Sequence, residues 1–171
     1  MAPRPKGVPE PPVWRWRDDE LADVGAVLVD IDGVLSDAEH RLHLVTGGGR
    51  GWDEFFARVG DDPLHADIDR LVRLLTGETA VVLVTGRPER IADQTIAWLT
   101  RFEVRWDLLV SRHDADNRPA PLMKTHAVND LKQAGIEPLF ALDDDSRNIA
   151  AYRDLGIPAL HVVRAAGDTP A

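Results

Sequence analysis

The stretch "AVLVDIDGVLSD", residues 26–37, decides how the rest of the chain is read. Ala26 to Val29 is an unbroken apolar run, the pattern of a strand buried on both faces. It ends in Asp30 and Asp32, two residues apart, with Gly33 behind them. On an extended backbone such residues point to the same side. Two carboxylates about 4 Å apart repel by about 1 kcal/mol in water and by about 4 kcal/mol at an effective dielectric of 20. Two like charges held on one side of a strand end call for a counter-ion or a chemical task.

Working outward, strand and helix patterns alternate. Ile68, Leu71, Val72 and Leu75 share one helix face, with Gly77 as a stop. "AVVLV", residues 80–84, is a second buried strand. Pro88 suits a first helical position, and Ile91, Thr95, Trp98, Leu99 and Phe102 then form one helix face. Residues 107–110 form a short strand, and Pro121 opens a helix closed by Gly135. "PLFAL", residues 138–142, is a third apolar strand; Ser146 caps a helix that Gly156 ends, and residues 159–163 are the last strand. This rhythm predicts an α/β, Rossmann-like domain over residues 21–171, with a mainly parallel sheet and helices on both faces.

Two segments stand apart. Residues 1–20 are expected to be a flexible, proline-rich tail, with Trp14 and Trp16 either docked on the domain or, beside Arg15 and Arg17, free to stack on bases. Residues 37–67 form a long insertion after the first strand, "DAEHRLHLVTGGGRGWDEFFARVGDDPLHAD". Trp52, Phe55 and Phe56 predict a short helix inside it, and the whole is expected to lie over the pocket as a small cap. Its glycine-rich "TGGGRG", residues 46–51, lacks the Lys-Ser/Thr ending of a phosphate-binding loop and reads as a plain loop.

The 171 residues and 44% hydrophobic content fit one globular domain. A net charge of −9 argues against broad adhesion to nucleic acid or membrane, while leaving room for a local basic pocket. The absence of cysteine excludes disulfides and thiolate metal sites, so the cytoplasm is the expected compartment. No apolar run approaches the roughly 18 residues of a membrane span.

In open α/β sheets, ligands bind at the carboxyl ends of the strands. There the first strand carries Asp30 and Asp32, the second Thr85-Gly86-Arg87, and the third Asp143-Asp144-Asp145. Convergence of these clusters supplies hard oxygen ligands from Asp30, Asp143 and Asp144, which suit Mg²⁺. The cation turns the carboxylate repulsion into attraction. Thr85, with the backbone N–H groups of Gly86 and Arg87 at an expected helix start, reads as an anion site.

These pieces, in this order, resemble the haloacid dehalogenase (HAD) superfamily of phosphotransferases: DxDG after a first strand, Thr after a second, a Lys, then an acidic pair. Here they are Asp30/Asp32, Thr85, Lys124 and Asp143/Asp144, within residues 26–163. Val34 stands where many members have Thr. The chain is more closely similar to the 3′-phosphatase domain of phage polynucleotide kinase. "VLVTGRPE" (82–89), "SRHDADNRPAPLMK" (111–124, with Arg112, Asp116, Arg118 and Lys124) and "ALDDDSRNIAAYRDLGI" (141–157) carry that likeness. No Walker A sequence occurs, so no kinase half is expected.

The resemblance implies a Mg²⁺-dependent phosphomonoester hydrolase that removes 3′-phosphates from DNA or RNA ends through an aspartyl-phosphate. Asp30 is then the nucleophile. Asp32 is the proton donor and acceptor, its pKa expected to be raised by the neighbouring carboxylate. Mg²⁺ sits on Asp30, the Asp32 carbonyl, and Asp143 or Asp144. Thr85 and Lys124 hold phosphoryl oxygens. From the residues themselves, Gly86, Arg87, Arg112 and Arg118 are expected on substrate phosphate, the three arginines alternatively pairing with Asp114, Asp116 or another carboxylate; His40 and Arg41 follow the nucleophile loop closely and are expected to touch substrate. Trp52 or Phe55 either stacks a base or packs the cap. Two other readings are a phosphatase of nucleotides or small phosphomonoesters, and a non-catalytic binding module on the same fold.

Overall fold

The computed structural model describes residues 12–46, 51–75 and 77–164. Its six-stranded sheet has the order β1-β4-β3-β2-β5-β6, with β1 (Val13–Trp16), β2 (Val24–Val29), β3 (Thr79–Pro88), β4 (Leu108–Arg112), β5 (Ile136–Asp143) and β6 (Ala159–His161). All neighbours are parallel except β1, which runs antiparallel to β4. No described helix is long and apolar enough to cross a membrane.

Both faces of the sheet are covered, which explains the unbroken apolar runs. Val27, Val29, Val81 and Leu83 meet Ile68 and Val72 of α3 (Ala66–Arg73) and Trp98 and Leu99 of α4 (Ala92–Arg101). Ala26, Leu28, Val82 and Val84 face the other way. They meet Ala127, Val128 and Leu131 of α5 (Ala120–Gln133) and Tyr152 of α6 (Ser146–Asp154). The α/β, mainly parallel architecture is as the alternating pattern predicts.

Three expectations are corrected. The sheet starts before residue 21: Val13–Trp16 pairs with Leu108–Ser111, and Trp14 and Trp16 pack partly buried on the core. Seven residues separate the strand from β2, so the proline-rich composition hid a short edge strand; residues 1–11 lie outside the described residues, as do 47–50 of the glycine-rich loop. Second, β3 continues through Thr85-Gly86-Arg87 to Pro88, which pairs with Arg112 beyond an irregularity after Val84. Third, α4 therefore begins only at Ala92, after a 3₁₀ turn over Glu89–Ile91. Gly86 and Arg87 do not open a helix, and the Arg87 N–H is already donated to the Thr85 hydroxyl at 3.2 Å.

The insertion holds α1 (Glu39–Leu42), α2 (Trp52–Ala57) and a 3₁₀ turn, Val59–Asp61. It is fastened to the sheet layer by Trp98 Nε1, which donates to the Asp62 carbonyl at 2.8 Å, and by buried Phe55 and Val59.

Candidate active site

The loop after β2 brings the chain's acidic groups to one place. The Ile31 carbonyl accepts from the N–H groups of Val34, Leu35 and Ser36, which turns the chain sharply. Gly33 makes this possible. Its φ is +83°, and a Cβ there would stand 2.1 Å from Asp144 Oδ2. Only glycine offers both the left-handed backbone and the room. The Asp30 N–H donates to the Leu142 carbonyl at 3.0 Å, which locks the end of β2 to the end of β5.

Asp30, Asp143 and Asp144 consequently offer carboxylate oxygens that all lie within 4.8 Å of one another. Lys124 of α5 is buried against them, its Nζ 3.0 Å from Asp30 Oδ1 and 2.5 Å from Asp143 Oδ2. Burial alone would lower the Lys124 pKa; Asp30, Tyr152 and Asp143 overcome it and hold the ammonium well above its usual range. Burial pushes the Asp30 carboxyl well up despite Lys124, and Asp143, Asp144 and Asp32 add to the push. Burial, then Asp143, raises Asp144 to about 6.

An all-oxygen donor set of this kind fits Mg²⁺. A second feature supports the fit. Asn148, in the first turn of α6, donates through Nδ2 to Asp143 Oδ1 at 2.9 Å. Its own Oδ1 is buried without a hydrogen-bond partner, and the residue borders the cleft. An acceptor left open there suits a donor such as a cation's water. Asn148 was missed in the sequence, although an amide five residues after Asp143, in the first turn of the next helix, was a signal.

Asp32 is not part of the acidic cluster. Arg87 reaches its carboxylate with Nη2 at 2.7 Å and Nε at 3.1 Å, and Arg41 Nη2 donates to it as well. Both guanidiniums also hold Asp62: Arg41 at 2.6 and 2.7 Å, Arg87 at 3.0 Å. Burial alone would raise the Asp32 pKa; Arg87 and Arg41 overcome it and hold the carboxyl well below the usual range. The expected upward shift is therefore corrected, because two arginines outweigh one neighbouring carboxylate.

Arg41 and Arg87 are almost wholly enclosed, and His40 points its Nε2 at Asp62, 2.9 Å away. Of these three, expected on the substrate, Arg41 and Arg87 hold Asp32 and Asp62, and His40 contacts Asp62. Their common partner, Asp62, has no exposed side-chain surface and was missed in the sequence. It lies in "GDDPL", which reads as a turn. Thr85 is likewise fully buried.

A cleft of about 620 Å³ opens over the acidic cluster. Asp30, Lys124 and Asp144 line its base, Gly86, Arg112 and Arg118 one part of its wall, and Trp52, Phe55 and Phe56 of the cap another. Arg112 is pinned through Nη1 to the carbonyls of Asp116 and Arg118, at 3.2 and 2.7 Å. Asp116 accepts from Arg118 Nη2 at 2.8 Å. Of the residues expected on the substrate, then, Gly86, Arg112 and Arg118 reach the cleft.

Comparisons with known proteins show the chain's family and fold. The family model of the polynucleotide kinase PNKP phosphatase domain matches residues 24–168. A chain in the structure of the Pnkp1/Rnl/Hen1 RNA repair complex is similar with a TM-score of 0.68 at 23% identity, over 86% of this chain and 45% of that one. This chain thus spans less than half the length of that relative. A haloacid dehalogenase-like family hydrolase from Streptococcus pneumoniae gives 0.61 at 12% identity, over 82% and 85% of the two chains. A HAD-superfamily hydrolase from Geobacter sulfurreducens gives 0.56 at 14%, over 82% and 87%. No curated protein matches. At these identities the solved structures establish the fold, and the family model adds the lineage: the chain belongs to the polynucleotide kinase PNKP phosphatase domain family, on the HAD phosphatase fold.

Proposed function

We propose that this chain is a Mg²⁺-dependent phosphatase that removes 3′-phosphates from nucleic-acid ends through a phosphorylated Asp30. The observation that carries the reading is the convergence of Asp30, Asp143 and Asp144 beside the buried Lys124, under a cleft with arginine and aromatic walls. The family's description supports the nucleic-acid end as substrate.

An Asp30 carboxylate oxygen attacks phosphorus, and the bond from phosphorus to the ribose 3′-oxygen breaks. Asp32 gives a proton to the departing oxygen. Water then attacks the phosphorus of the aspartyl-phosphate, gives its proton to Asp32, and frees inorganic phosphate and Asp30. The arginine grip on Asp32 favours its ionised form, which suits the second half. The substrate's own negative charge, arriving beside Asp32, raises its proton affinity for the first.

Asp30, Asp143 and Asp144, with the Asp32 carbonyl, would hold Mg²⁺. When bound, the cation neutralises charge on the acidic groups and the phosphoryl oxygens. Lys124 supplies a fixed positive charge at the same place, and Arg112 and Arg118 face the substrate backbone. Thr85 holds the backbone at Arg87 through its hydroxyl, which accepts from the Arg87 N–H.

The test compares phosphate release from a 3′-phosphorylated oligonucleotide, the matching 5′-phosphorylated one, and free mononucleotides. Preference for the 3′ end is expected. Preference for free 5′-mononucleotides contradicts the reading and favours a small-molecule phosphatase. Inactivity on all three favours a binding module.

A further inference from the structure

We propose that Trp52 is the platform on which the 3′-terminal nucleobase stacks; this rests on the phosphatase reading above. The three cap aromatics divide by exposure. Phe55 is 5% exposed and does the packing, with the Arg41 guanidinium 4.1 Å from its ring centre. Trp52 is 48% exposed, the only large aromatic so open among the described residues. A ring needed solely to pack the cap would be covered as Phe55 is. Leaving this much indole in water costs hydrophobic stabilisation that a partner ring can recover.

The indole is held in place. Phe56 stacks on it at 5.6 Å with a 27° interplanar angle, and Phe55 meets it edge-on at 5.5 Å. Helix α2 is in turn tied down by Phe55, whose carbonyl accepts from Arg41 at 3.5 Å. A pre-set plane loses little freedom when a second ring settles on it. Trp52 lines the same cleft as Asp30 and Lys124, so a ligand whose phosphate sits at Asp30 has this indole beside it.

The chemistry around it selects the occupant. Arg90, Arg112 and Arg118 line the same cleft, and Arg90 lies 5.8 Å over the Phe56 ring. A flat ring carried on an anionic backbone suits both features. The cleft's volume lies within the roughly 300–1,000 Å³ of sites that enclose a molecule of this size.

The test uses two oligonucleotides of one sequence, one ending in thymidine 3′-phosphate and one in an abasic tetrahydrofuran 3′-phosphate. The wild type should favour the base-bearing end by about 5- to 150-fold in kcat/KM, the range of a base–aromatic stack. Trp52→Ala should erase that preference and Trp52→Phe should keep most of it, with circular dichroism confirming the fold of each. A wild type that hydrolyses both ends equally, or a Trp52→Ala variant that still prefers the base, overturns the platform alone. A wild type that releases phosphate from neither end overturns the 3′-phosphatase reading, and the platform with it.

Discussion

Arg87 grips Asp32 with two nitrogens at once, Nη2 at 2.7 Å and Nε at 3.1 Å, from a strand 55 residues away in sequence. The fork fixes the orientation of the carboxylate that the proposed mechanism sets before the departing oxygen. Arg87→Lys keeps the charge and loses the fork. On an oligonucleotide 3′-phosphate, whose alkoxide leaves poorly, kcat should fall by roughly 10²-fold or more, within the range of general acid catalysis. On p-nitrophenyl phosphate, whose leaving group needs little protonation, the fall should be smaller. Equal losses on both substrates contradict a role through Asp32.

Asp62 neutralises two enclosed guanidiniums from a position with no exposed side-chain surface. Asp62→Asn leaves that positive charge short of one partner. Removing one member of a buried ion pair typically costs about 3–5 kcal/mol. A loss of that order in urea unfolding is expected. Asp53→Asn, which breaks an exposed pair with Arg90, should leave the urea midpoint in place.

Asp144 has a folded-state pKa raised to about 6 by burial and Asp143. Its unfolded value is near 3.8, so the group's contribution to stability is full below pH 3.8 and is lost as pH rises through about 6. A cation that needs the ionised form binds more tightly over the same rise. The increase in Tm on adding Mg²⁺ should therefore be small at pH 5 and large at pH 7.5. A shift independent of pH contradicts the assignment of Asp144 as a ligand.

Gly33→Ala places a methyl group where Asp144 Oδ2 now lies, on a backbone that disfavours any side chain. The variant should lose most of the Mg²⁺-induced rise in Tm. Gly25→Ala meets only the flexible end of Leu139 and should retain it.

The fold was legible where burial on both faces wrote itself as apolar runs, in Ala26–Val29, Ala80–Val84 and Pro138–Leu142. The acidic cluster was legible because its members end neighbouring parallel strands. The arginine pair was visible as residue types but not as roles. Arg41 and Arg87 meet Asp62 over 21 and 25 residues of sequence, and no local pattern encodes a contact of that span. Edge strand β1 escaped because its pairing partner, β4, lies over 90 residues on, while its flanks read as tail.

The most direct test of the central claim mixes enzyme at stoichiometric amounts with an oligonucleotide carrying a ³²P-labelled 3′-phosphate, then quenches in acid. The wild type should retain label on the protein at Asp30. Asp30→Asn, folded by circular dichroism, should retain none and lose roughly 10³-fold or more in turnover. An Asp30→Asn protein that releases phosphate at the wild-type rate contradicts the account.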